Sequence, residues 1–462
     1  MPGSRKGGRT RDVALAWLDR RLNFERAVPR TASPGTFGLG RVRRLLAAVG
    51  DPHLRFPVVH VAGTKGKGST VAMLSAVLQS AGHRVGRYMS PHVNAIEERI
   101  SVAGRPISPT DLVRAFDVVI PAVDRMDRHA QRRGGQGPTW FEVLTAVAFV
   151  HFARSRVDLA VLETGLGGRL DATNVSRPIL SIITSISLDH MHLLGNTVGR
   201  IAAEKAGIIK RGCPVISAAT HPAARRVVES VAARRRAPLM QLGRDFTATY
   251  VPPDAGTIDT DPLAPGNVSI GSTTAAANDR RLFPLGMPGP HQAVNAALVV
   301  MAARTLDARG VTVGPRAVER GLSTAALPAR IEAIAKRPLV ILDAAHNVAS
   351  MNALVATLSP SRAAFHPRVL VFAASADKQL AEMLAVGREA FDHVVVTRYA
   401  TNPRAATVPH LLEACRQARL PEPRVAAAPA EALRLARSLA TPRGLVCIAG
   451  SFFLAAEIRD VL

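Results

Sequence analysis

A chain of 462 residues with a hydrophobic fraction of 47% is too long for one ordinary domain and can build two or three buried cores. The formal net charge of +24 is high, but only 4% of the residues are aromatic and no basic tract is interleaved with aromatic residues, which argues against nucleic-acid binding as the main role. The three cysteines, Cys213, Cys415 and Cys447, lie far apart without a paired spacing, which disfavours a disulfide framework and a zinc site.

The chain begins with a basic segment, residues 1–10, followed by a mixed helical pattern at 13–21. This pattern is not the apolar core of a signal peptide, and no apolar run is long enough for a transmembrane helix. We therefore expect a cytoplasmic protein without a membrane partner.

Strand-like runs alternate with helical runs along most of the chain, which indicates parallel sheets covered by helices on both faces. In the first part, the predicted strands are residues 58–62, 84–89, 159–163, 179–186 and 214–217. The predicted helices are residues 69–81, 109–125, 140–153, 198–209 and 223–236. The Arg/Gly-rich stretch 129–138 is predicted to be an exposed loop.

Residues 252–281 are rich in Pro, Gly, Thr and Ala, and predict an insertion of loops or short strands with few core residues. Helices are predicted at 291–309, 316–324 and 452–461, and a second set of strands at 330–334, 339–342, 369–373, 394–397, 425–427 and 445–449. We predict an α/β protein with a P-loop ATPase domain over 1–315, built on a mostly parallel sheet, and a smaller Rossmann-like α/β domain over 316–462. No GxGxxG follows a strand in the second domain, so we expect no nicotinamide site there.

The most informative motif is the turn between the first predicted strand and helix, which reads Gly63-Thr64-Lys65-Gly66-Lys67-Gly68-Ser69-Thr70. Glycines let backbone N–H groups point at an anion, the lysines and the helix N-terminus add positive charge, and Ser69 or Thr70 can reach a metal. The spacing differs from Walker A, because counting from Gly63 the lysine comes one place early and a glycine separates it from Ser69. The motif predicts a phosphate-binding loop; the alternative is a glycine-rich turn without a ligand.

This loop resembles the ATP loop of the Mur ligase superfamily, and further blocks resemble its folylpolyglutamate synthase/dihydrofolate synthase branch. These blocks are Ser90-Pro91-His92, Thr139-Trp140-Phe141-Glu142 and residues 162–174, 184–190, 204–208, 291–297, 327–330 and 342–347. The resemblance extends from about residue 22 to residue 462. One departure is Lys65, where the family usually has Asn; a further cation there would help to hold phosphate.

The resemblance implies an enzyme that uses ATP and Mg²⁺ to add L-glutamate to a folate-type carboxylate through an acyl phosphate. The acceptor would be dihydropteroate, tetrahydrofolate with its polyglutamates, or both. The implied partners are these small molecules, and we expect a monomer.

The implied metal site consists of Ser69, Ser90, Glu163, His190 and Lys205. Glu163 ends an apolar strand, where a carboxylate is costly unless it binds a metal or is hydrogen bonded; a salt bridge to Arg169 is the alternative. The resemblance implies that Lys205 is carbamylated and helps to bind a second magnesium, whereas a plain lysine on a helix is usually solvated.

On the ATP side, the resemblance points to Asn295, Arg330 and Asp343 in addition to the loop. Arg330 follows an interdomain linker and could reach the phosphates; an interface salt bridge is the alternative. His346 lies beside Asp343 and could contact glutamate or nucleotide. We assign catalytic roles to Lys67, Lys205, Arg330 and His346.

The implied folate site contains Thr139, Trp140, Phe141, Leu170 and Asp171, with an aromatic plane to stack on the pteridine ring. Residues 22–24 are weaker candidates for the same pocket. The alternative for 139–141 is a helix start, with Thr139 as the cap and two core aromatic residues.

Two other functions stay open. A Mur-type ligase acting on a UDP-linked peptidoglycan precursor is disfavoured by the blocks at 90–92 and 139–142, which resemble the folate branch. A nucleotide-dependent binding or assembly protein without ligase activity is disfavoured by candidate metal ligands at several strand ends.

Overall fold

The computed structural model describes residues 9–25, 37–261, 263–273 and 280–461. The helices are α1 (Arg11–Asp19), α2 (Leu39–Ala48), α3 (Lys67–Ser80), α4 (Pro109–Gln131), α5 (Trp140–Arg154), α6 (Met191–Leu194), α7 (Val198–Ala206), α8 (Pro222–Arg234), α9 (Ala255–Thr260), α10 (His291–Asp307), α11 (Pro315–Thr324), α12 (Val348–Leu358), α13 (Leu380–Gly387), α14 (Val408–Gln417), α15 (Pro429–Ala440) and α16 (Phe452–Arg459). The strands are β1 (Val58–Ala62), β2 (Val85–Tyr88), β3 (Ile100–Val102), β4 (Arg105–Pro106), β5 (Leu159–Glu163), β6 (Pro178–Ile183), β7 (Val215–Ser217), β8 (Leu239–Gln241), β9 (Phe246–Val251), β10 (Asn267–Ser272), β11 (Arg281–Pro284), β12 (Glu332–Lys336), β13 (Leu339–Leu342), β14 (Arg368–Phe372), β15 (His393–Val396), β16 (Arg424–Val425) and β17 (Leu445–Ala449).

The first sheet has eight strands in the order β4-β3-β2-β5-β1-β6-β7-β8. Only the pairs β2–β3 and β3–β4 are antiparallel. Strands β1 and β5 are buried along their whole length, which is the environment of central strands in a parallel sheet. Because β1 lies between β5 and β6, the segments that follow these three strands leave the same edge of the sheet.

The second sheet has six strands in the order β12-β13-β17-β14-β15-β16, with one antiparallel pair, β12–β13. Its two faces are both covered: Leu370 and Phe372 of β14 belong to one apolar core, and Val369 and Val371 belong to another. This period of two is what a doubly covered strand requires. A separate antiparallel sheet has the order β11-β10-β9.

The described residues pack as two units. One contains the chain up to Pro91, Ile96–Arg244 and Leu298–Gly321; the other contains His92–Ala95, Asp245–Ala297 and the chain from Leu322 onward. The domain division at 315/316 stays a prediction. The predicted α/β class, with a large, mostly parallel sheet and a second α/β sheet, is confirmed.

Several elements differ from the expectations. Helix α4 continues beyond the predicted end at 125 to Gln131; Arg128 and His129 lie in its last turn, where cations are favourable. The insertion contains one of the short strands expected there, β10, which pairs with β9 and β11 and buries Val268 and Ile270. Strands β3, β4, β8 and β9 were not predicted; the first three have only two or three residues, too few to show a hydrophobic period. Among the described residues, no helix is both long and apolar enough to cross a membrane.

Candidate functional site

The predicted phosphate loop is a tight turn from β1 into α3. Gly63 cannot be replaced without strain, because a Cβ there would lie 1.7 Å from the Thr184 Oγ1. Gly66 has a left-handed φ of 82° and directly precedes the helix. The Thr64 N–H donates to the Ser185 carbonyl at 2.7 Å, which holds the loop against the segment after β6. The first N–H groups of α3 therefore lie at a rigid helix N-terminus, a favourable position for an anion.

Three lysines surround this turn. The Lys205 ammonium on α7 is buried and donates to the Gly63 carbonyl at 2.6 Å. Burial, followed by the positive charge of Lys67 and a smaller contribution from Lys65, lowers the pKa of Lys205 to about 7, while Asp189 acts in the opposite direction. The Lys65 Nζ lies 3.9 Å from the Asp189 Oδ2. The buried amine is therefore partly neutral near neutral pH, and an incoming anion would relieve the repulsion between these cations.

Three candidate metal ligands, Ser90, Glu163 and His190, lie at or just after the ends of β2, β5 and β6, whereas Ser69 and Lys205 lie on α3 and α7. Glu163 is buried at the end of β5, and its Oε2 accepts the Ser90 N–H at 3.3 Å. The side chain of His190 is 43% exposed, and its Nε2 lies 3.9 Å from the Asp189 Oδ1. Arg169, the alternative partner considered for Glu163, pairs with Glu204 at 2.8 Å.

Oxygen groups rather than a protein cage characterise this edge of the sheet. Within the described ranges, no group of three or more His, Cys, Asp or Glu residues could hold a metal ion. The Thr70 Oγ1 is buried and has no hydrogen-bond partner among the residues that the structure describes. Magnesium typically takes few protein ligands and keeps phosphate or water oxygens, so the donor set fits an ion that arrives with a nucleotide.

Thr139 and Trp140 have clear structural roles at the start of α5. Thr139 and Glu142 form a capping box, the helix start that was the alternative interpretation of this block. Trp140 is buried, its indole N–H donates to Asp19 at 3.0 Å, and the Arg99 guanidinium lies 4.9 Å from its ring centre. These contacts occupy the Trp140 ring within the protein.

Phe141 is only partly buried, and its ring centre lies 5.9 Å from that of Tyr88. It is therefore the aromatic residue of the block with surface left for a ligand. Leu170 is also partly exposed, whereas Asp171 is buried and accepts the Leu166 N–H at 3.0 Å. Burial raises the pKa of Asp171, and its hydrogen bonds oppose this shift.

A surface cavity of about 330 Å³ lies near the start of α5. Its lining includes Trp17, Leu22, Asp127 and Pro138. The Leu22 carbonyl accepts the Trp140 N–H at 3.0 Å, so the weaker candidate segment 22–24 is attached to the block at 139–142.

In the second unit, Arg330 lies between two residues in left-handed conformations, Ala329 with φ 52° and Ile331 with φ 50°. Such conformations are costly for residues other than glycine and often occur at functional sites. The guanidinium lies 4.7 Å from the Phe452 ring centre. The sequence did not indicate this contact of Phe452 with Arg330, since nothing in the sequence distinguishes Phe452 from a core residue.

Asp343 is buried close to Arg330. Its two oxygens accept the Ile331 N–H at 2.8 Å and the Ala345 N–H at 2.7 Å. Burial raises its pKa to about 6, and the positive charge of Arg330 opposes that shift.

The other two candidates of this unit are also fixed by nearby groups. The Asn295 amide donates to the Gln292 Oε1 at 2.8 Å on α10. The His346 Nδ1 lies 2.8 Å from the Ala344 carbonyl, and its ring centre is 5.7 Å from that of Phe452.

Comparisons with known proteins agree with these features. Residues 329–452 match the family described as Mur ligase, glutamate ligase domain. The chain therefore contains a Mur ligase glutamate ligase domain.

More specific relatives cover nearly the whole chain. The dihydrofolate synthase/folylpolyglutamate synthase of Bacillus subtilis is 36% identical over 453 residues, 97% of this chain and 98% of that protein. A Mycobacterium tuberculosis folylpolyglutamate synthase structure, complexed with ADP and AMPPCP, has a TM-score of 0.83 and 31% identity, covering 98% of both chains. Escherichia coli FolC in complex with DHPP and ADP has a TM-score of 0.80 and 28% identity, covering 97% of both chains. The chain belongs to the folylpolyglutamate synthase/dihydrofolate synthase family, and the resemblance is confirmed.

Proposed function

We propose that the protein is an ATP-dependent ligase that joins L-glutamate to the carboxyl group of a folate-type acceptor. The acceptor is dihydropteroate, or tetrahydrofolate and its polyglutamates. The observation that carries this proposal is the rigid phosphate loop beside Lys205, in a chain whose full-length relatives are folylpolyglutamate and dihydrofolate synthases. These relatives favour a folate-type acceptor over a UDP-linked peptidoglycan precursor.

The chemistry explains why such a loop is needed. A carboxylate is a poor electrophile, so the ATP γ-phosphoryl group is first transferred to it, giving an acyl phosphate and ADP. The amine of glutamate then attacks the carbonyl carbon, phosphate leaves with the electron pair of its bond, and the new amide nitrogen loses a proton. Positioning and charge neutralisation dominate the first step, and the N–H groups at the start of α3 together with Lys67 supply both.

Magnesium fits the oxygen groups near the loop. Ser69, Ser90, Glu163 and His190 are the ligands that we propose for it. A bound magnesium ion supplies charge neutralisation on the phosphate oxygens. The unpartnered Thr70 Oγ1 and the hydrogen bond between Ser90 and Glu163 support a polar site at this edge of the sheet.

Lys205 is a suitable residue for carbamylation. A neutral amine is the form that adds to carbon dioxide, and a pKa of about 7 leaves a large neutral fraction at neutral pH. The product is a carboxylate-like anion that could contribute to a second magnesium site. We expect Lys205→Ala to lose activity and formate or acetate to restore part of it; unchanged kinetics in the plain variant would contradict the assignment.

The remaining roles follow from the resemblance and from local contacts. Asn295, Arg330 and Asp343 are proposed for the nucleotide, and His346 for the nucleotide or glutamate. For the acceptor, Phe141 is proposed to stack on the pteridine ring, since Trp140 is buried in other contacts. A monomeric state and a cytoplasmic location stay predictions.

The decisive experiment measures ADP release with dihydropteroate or tetrahydrofolate as the acceptor, each with and without L-glutamate. We expect release that depends on both the acceptor and glutamate, and a product whose mass increases by one glutamyl residue. A UDP-muramoyl peptide in the same assay is the control acceptor, with which we expect no glutamate-dependent ADP release. ADP release that requires neither folate nor glutamate would contradict the proposal.

A further inference from the structure

A histidine lies in the middle of the central strand β1, where its neighbours are Val59 and Val61. His60 is fully buried, and burial, with a smaller effect of Lys210, lowers its pKa to about 3. The imidazole is therefore neutral. Its Nε2 lies 2.8 Å from the Thr173 Oγ1, while the Nδ1 has no hydrogen-bond partner within the described part of the chain. Such a costly polar group in an apolar strand calls for a physical explanation.

The hydrogen bonds around His60 have a defined direction. The Thr173 hydroxyl donates to the Asp171 Oδ1 at 2.5 Å, and the Thr173 N–H donates to the same oxygen at 3.0 Å. With its proton committed to the carboxylate, the hydroxyl can only accept from the His60 Nε2–H. The other Asp171 oxygen accepts the Leu166 N–H at 3.0 Å. The chain His60–Thr173–Asp171 thus ends on the backbone of the glycine-rich loop, residues 165–169.

The two ends of this loop contact different parts of the proposed site. At one end, a Cβ on Gly165 would lie 2.7 Å from the Phe141 Cζ, so the backbone lies directly against the ring. At the other end, a Cβ on Gly168 would lie 2.8 Å from the carbonyl oxygens of Glu204 and Lys205. The Arg169 N–H also donates to the Glu204 carbonyl at 2.7 Å. The glycine-rich loop therefore spans the distance between the Phe141 ring and the helix that carries Lys205.

We propose that His60 and Thr173 are positioning residues that act through Asp171: they hold the glycine-rich loop at a fixed spacing between Phe141 and the Lys205 helix. The loop in turn aligns the acceptor carboxyl with the phosphate loop. This inference rests on the proposed function, because it assigns Phe141 to the folate-type acceptor. The inference assigns alignment of the acceptor to the buried network, and binding of ATP to other residues.

Alignment has a kinetic signature that fold stability does not have. When the acceptor is misplaced, the acyl phosphate persists longer before the amine of glutamate attacks, and water consumes part of it. ADP release then exceeds glutamyl product. A network that only supports the fold would reduce both rates together.

Thr173→Val removes the hydroxyl and keeps the side-chain shape. We expect the KM for the acceptor to rise about tenfold and the ratio of ADP to glutamyl product to increase, while the KM for ATP stays within about twofold. Thr173→Ser, which restores the hydroxyl, should recover both quantities. Ser181→Ala is the matched control, because Ser181 on β6 also carries a buried hydroxyl, but it donates to the Ile208 carbonyl at 3.3 Å.

Gly165→Ala is a second test that leaves the network intact and displaces the Phe141 ring instead. It should reproduce the changed acceptor KM and product ratio even if Thr173→Val does not fold. The inference is overturned if Gly165→Ala or a folded Thr173→Val retains the wild-type acceptor KM and product ratio, or if the KM values of acceptor and ATP rise equally. Wild-type protein without glutamate-dependent ADP release would overturn the proposed function itself.

Discussion

The two units hold their buried charges in opposite ways. In the first, Lys205 is buried close to Lys67 and Lys65, so burial and like charges act together to lower its pKa to about 7. In the second, Asp343 is buried beside Arg330 and accepts two backbone N–H groups, so its neighbours oppose the effect of burial. In the first arrangement positive charge predominates and Asp189 offsets it only in part, whereas in the second Arg330 and two backbone N–H groups partly compensate the buried carboxylate.

This difference indicates a division of labour. A cluster of cations around a helix N-terminus gains the most when a polyanion binds, because the ligand relieves repulsion that the folded chain maintains. A buried carboxylate that accepts neighbouring backbone N–H groups is better suited to fixing geometry, here the unusual backbone around Arg330. We therefore expect substitutions of the lysines in the first unit to act mainly on turnover, and substitution of Asp343 to lower stability as well as nucleotide binding.

The largest effect is expected for Lys67→Ala, which removes a cation from the first turn of α3. Turnover should fall about a thousandfold in the ADP-release assay, since the loss falls on charge stabilisation during phosphoryl transfer. Lys336→Ala, at an exposed position of β12, is the control for the change in net charge. Full activity of Lys67→Ala would remove the basis for the phosphate-loop assignment.

Asp343→Ala tests the structural role of the buried carboxylate in the second unit. It leaves the Ile331 and Ala345 N–H groups without their acceptor, and each buried orphan costs about 1–3 kcal/mol, partly offset by removal of a buried carboxylate. We expect a net loss of about 2–3 kcal/mol in the free energy of unfolding, measured by urea titration at pH 7. Asp343→Asn, which keeps one acceptor, should lose less of the free energy of unfolding. An unchanged urea midpoint for both variants would contradict a stabilising role for these two hydrogen bonds.

Lys205→Met sharpens the comparison through pH. Because the folded-state pKa of about 7 lies below the ordinary 10.5, the unfolded chain carries the proton between these values and the folded chain does not. Wild-type stability should therefore rise with pH above 7, by about 1.4 kcal/mol per pH unit from this group. Urea midpoints at pH 7, 8 and 9 in carbon dioxide-free buffer should show this slope reduced in Lys205→Met. Equal slopes would mean that the amine is not desolvated.

The smallest effect is expected for Lys65→Asn. Lys65 is partly exposed and its Nζ lies 3.9 Å from the Asp189 Oδ2. We therefore expect it to contribute less than about 1 kcal/mol to the binding of ATP. We expect the KM for ATP to rise about threefold at low salt and the difference to shrink at high salt, as screening predicts. A salt-independent change would assign Lys65 a role other than a supplementary cation.

The sequence predicted the phosphate loop because all its determinants are contiguous: glycines, lysines and hydroxyls follow one strand in a single run. It also predicted the central strands, in which apolar residues predominate. It did not show that Lys205 binds the Gly63 carbonyl, because that contact joins positions 142 residues apart. The left-handed Ala329 and Ile331 were not predictable either, since these residue types carry no signal for positive φ. The His60–Thr173–Asp171 network was not predicted for the same reason as the Lys205 contact, because it forms only when separate segments of the chain pack together.

The interleaving of the two units along the chain has a practical consequence for anyone who divides the gene. The polypeptide passes from one unit to the other after Pro91, Ala95, Arg244, Ala297 and Gly321. No single cut therefore yields two fragments that each contain a whole unit, and a truncation near the middle exposes apolar surface on both products. Two-fragment complementation, in which both halves are synthesised together and assemble as they fold, is the route by which a split form of this protein would work.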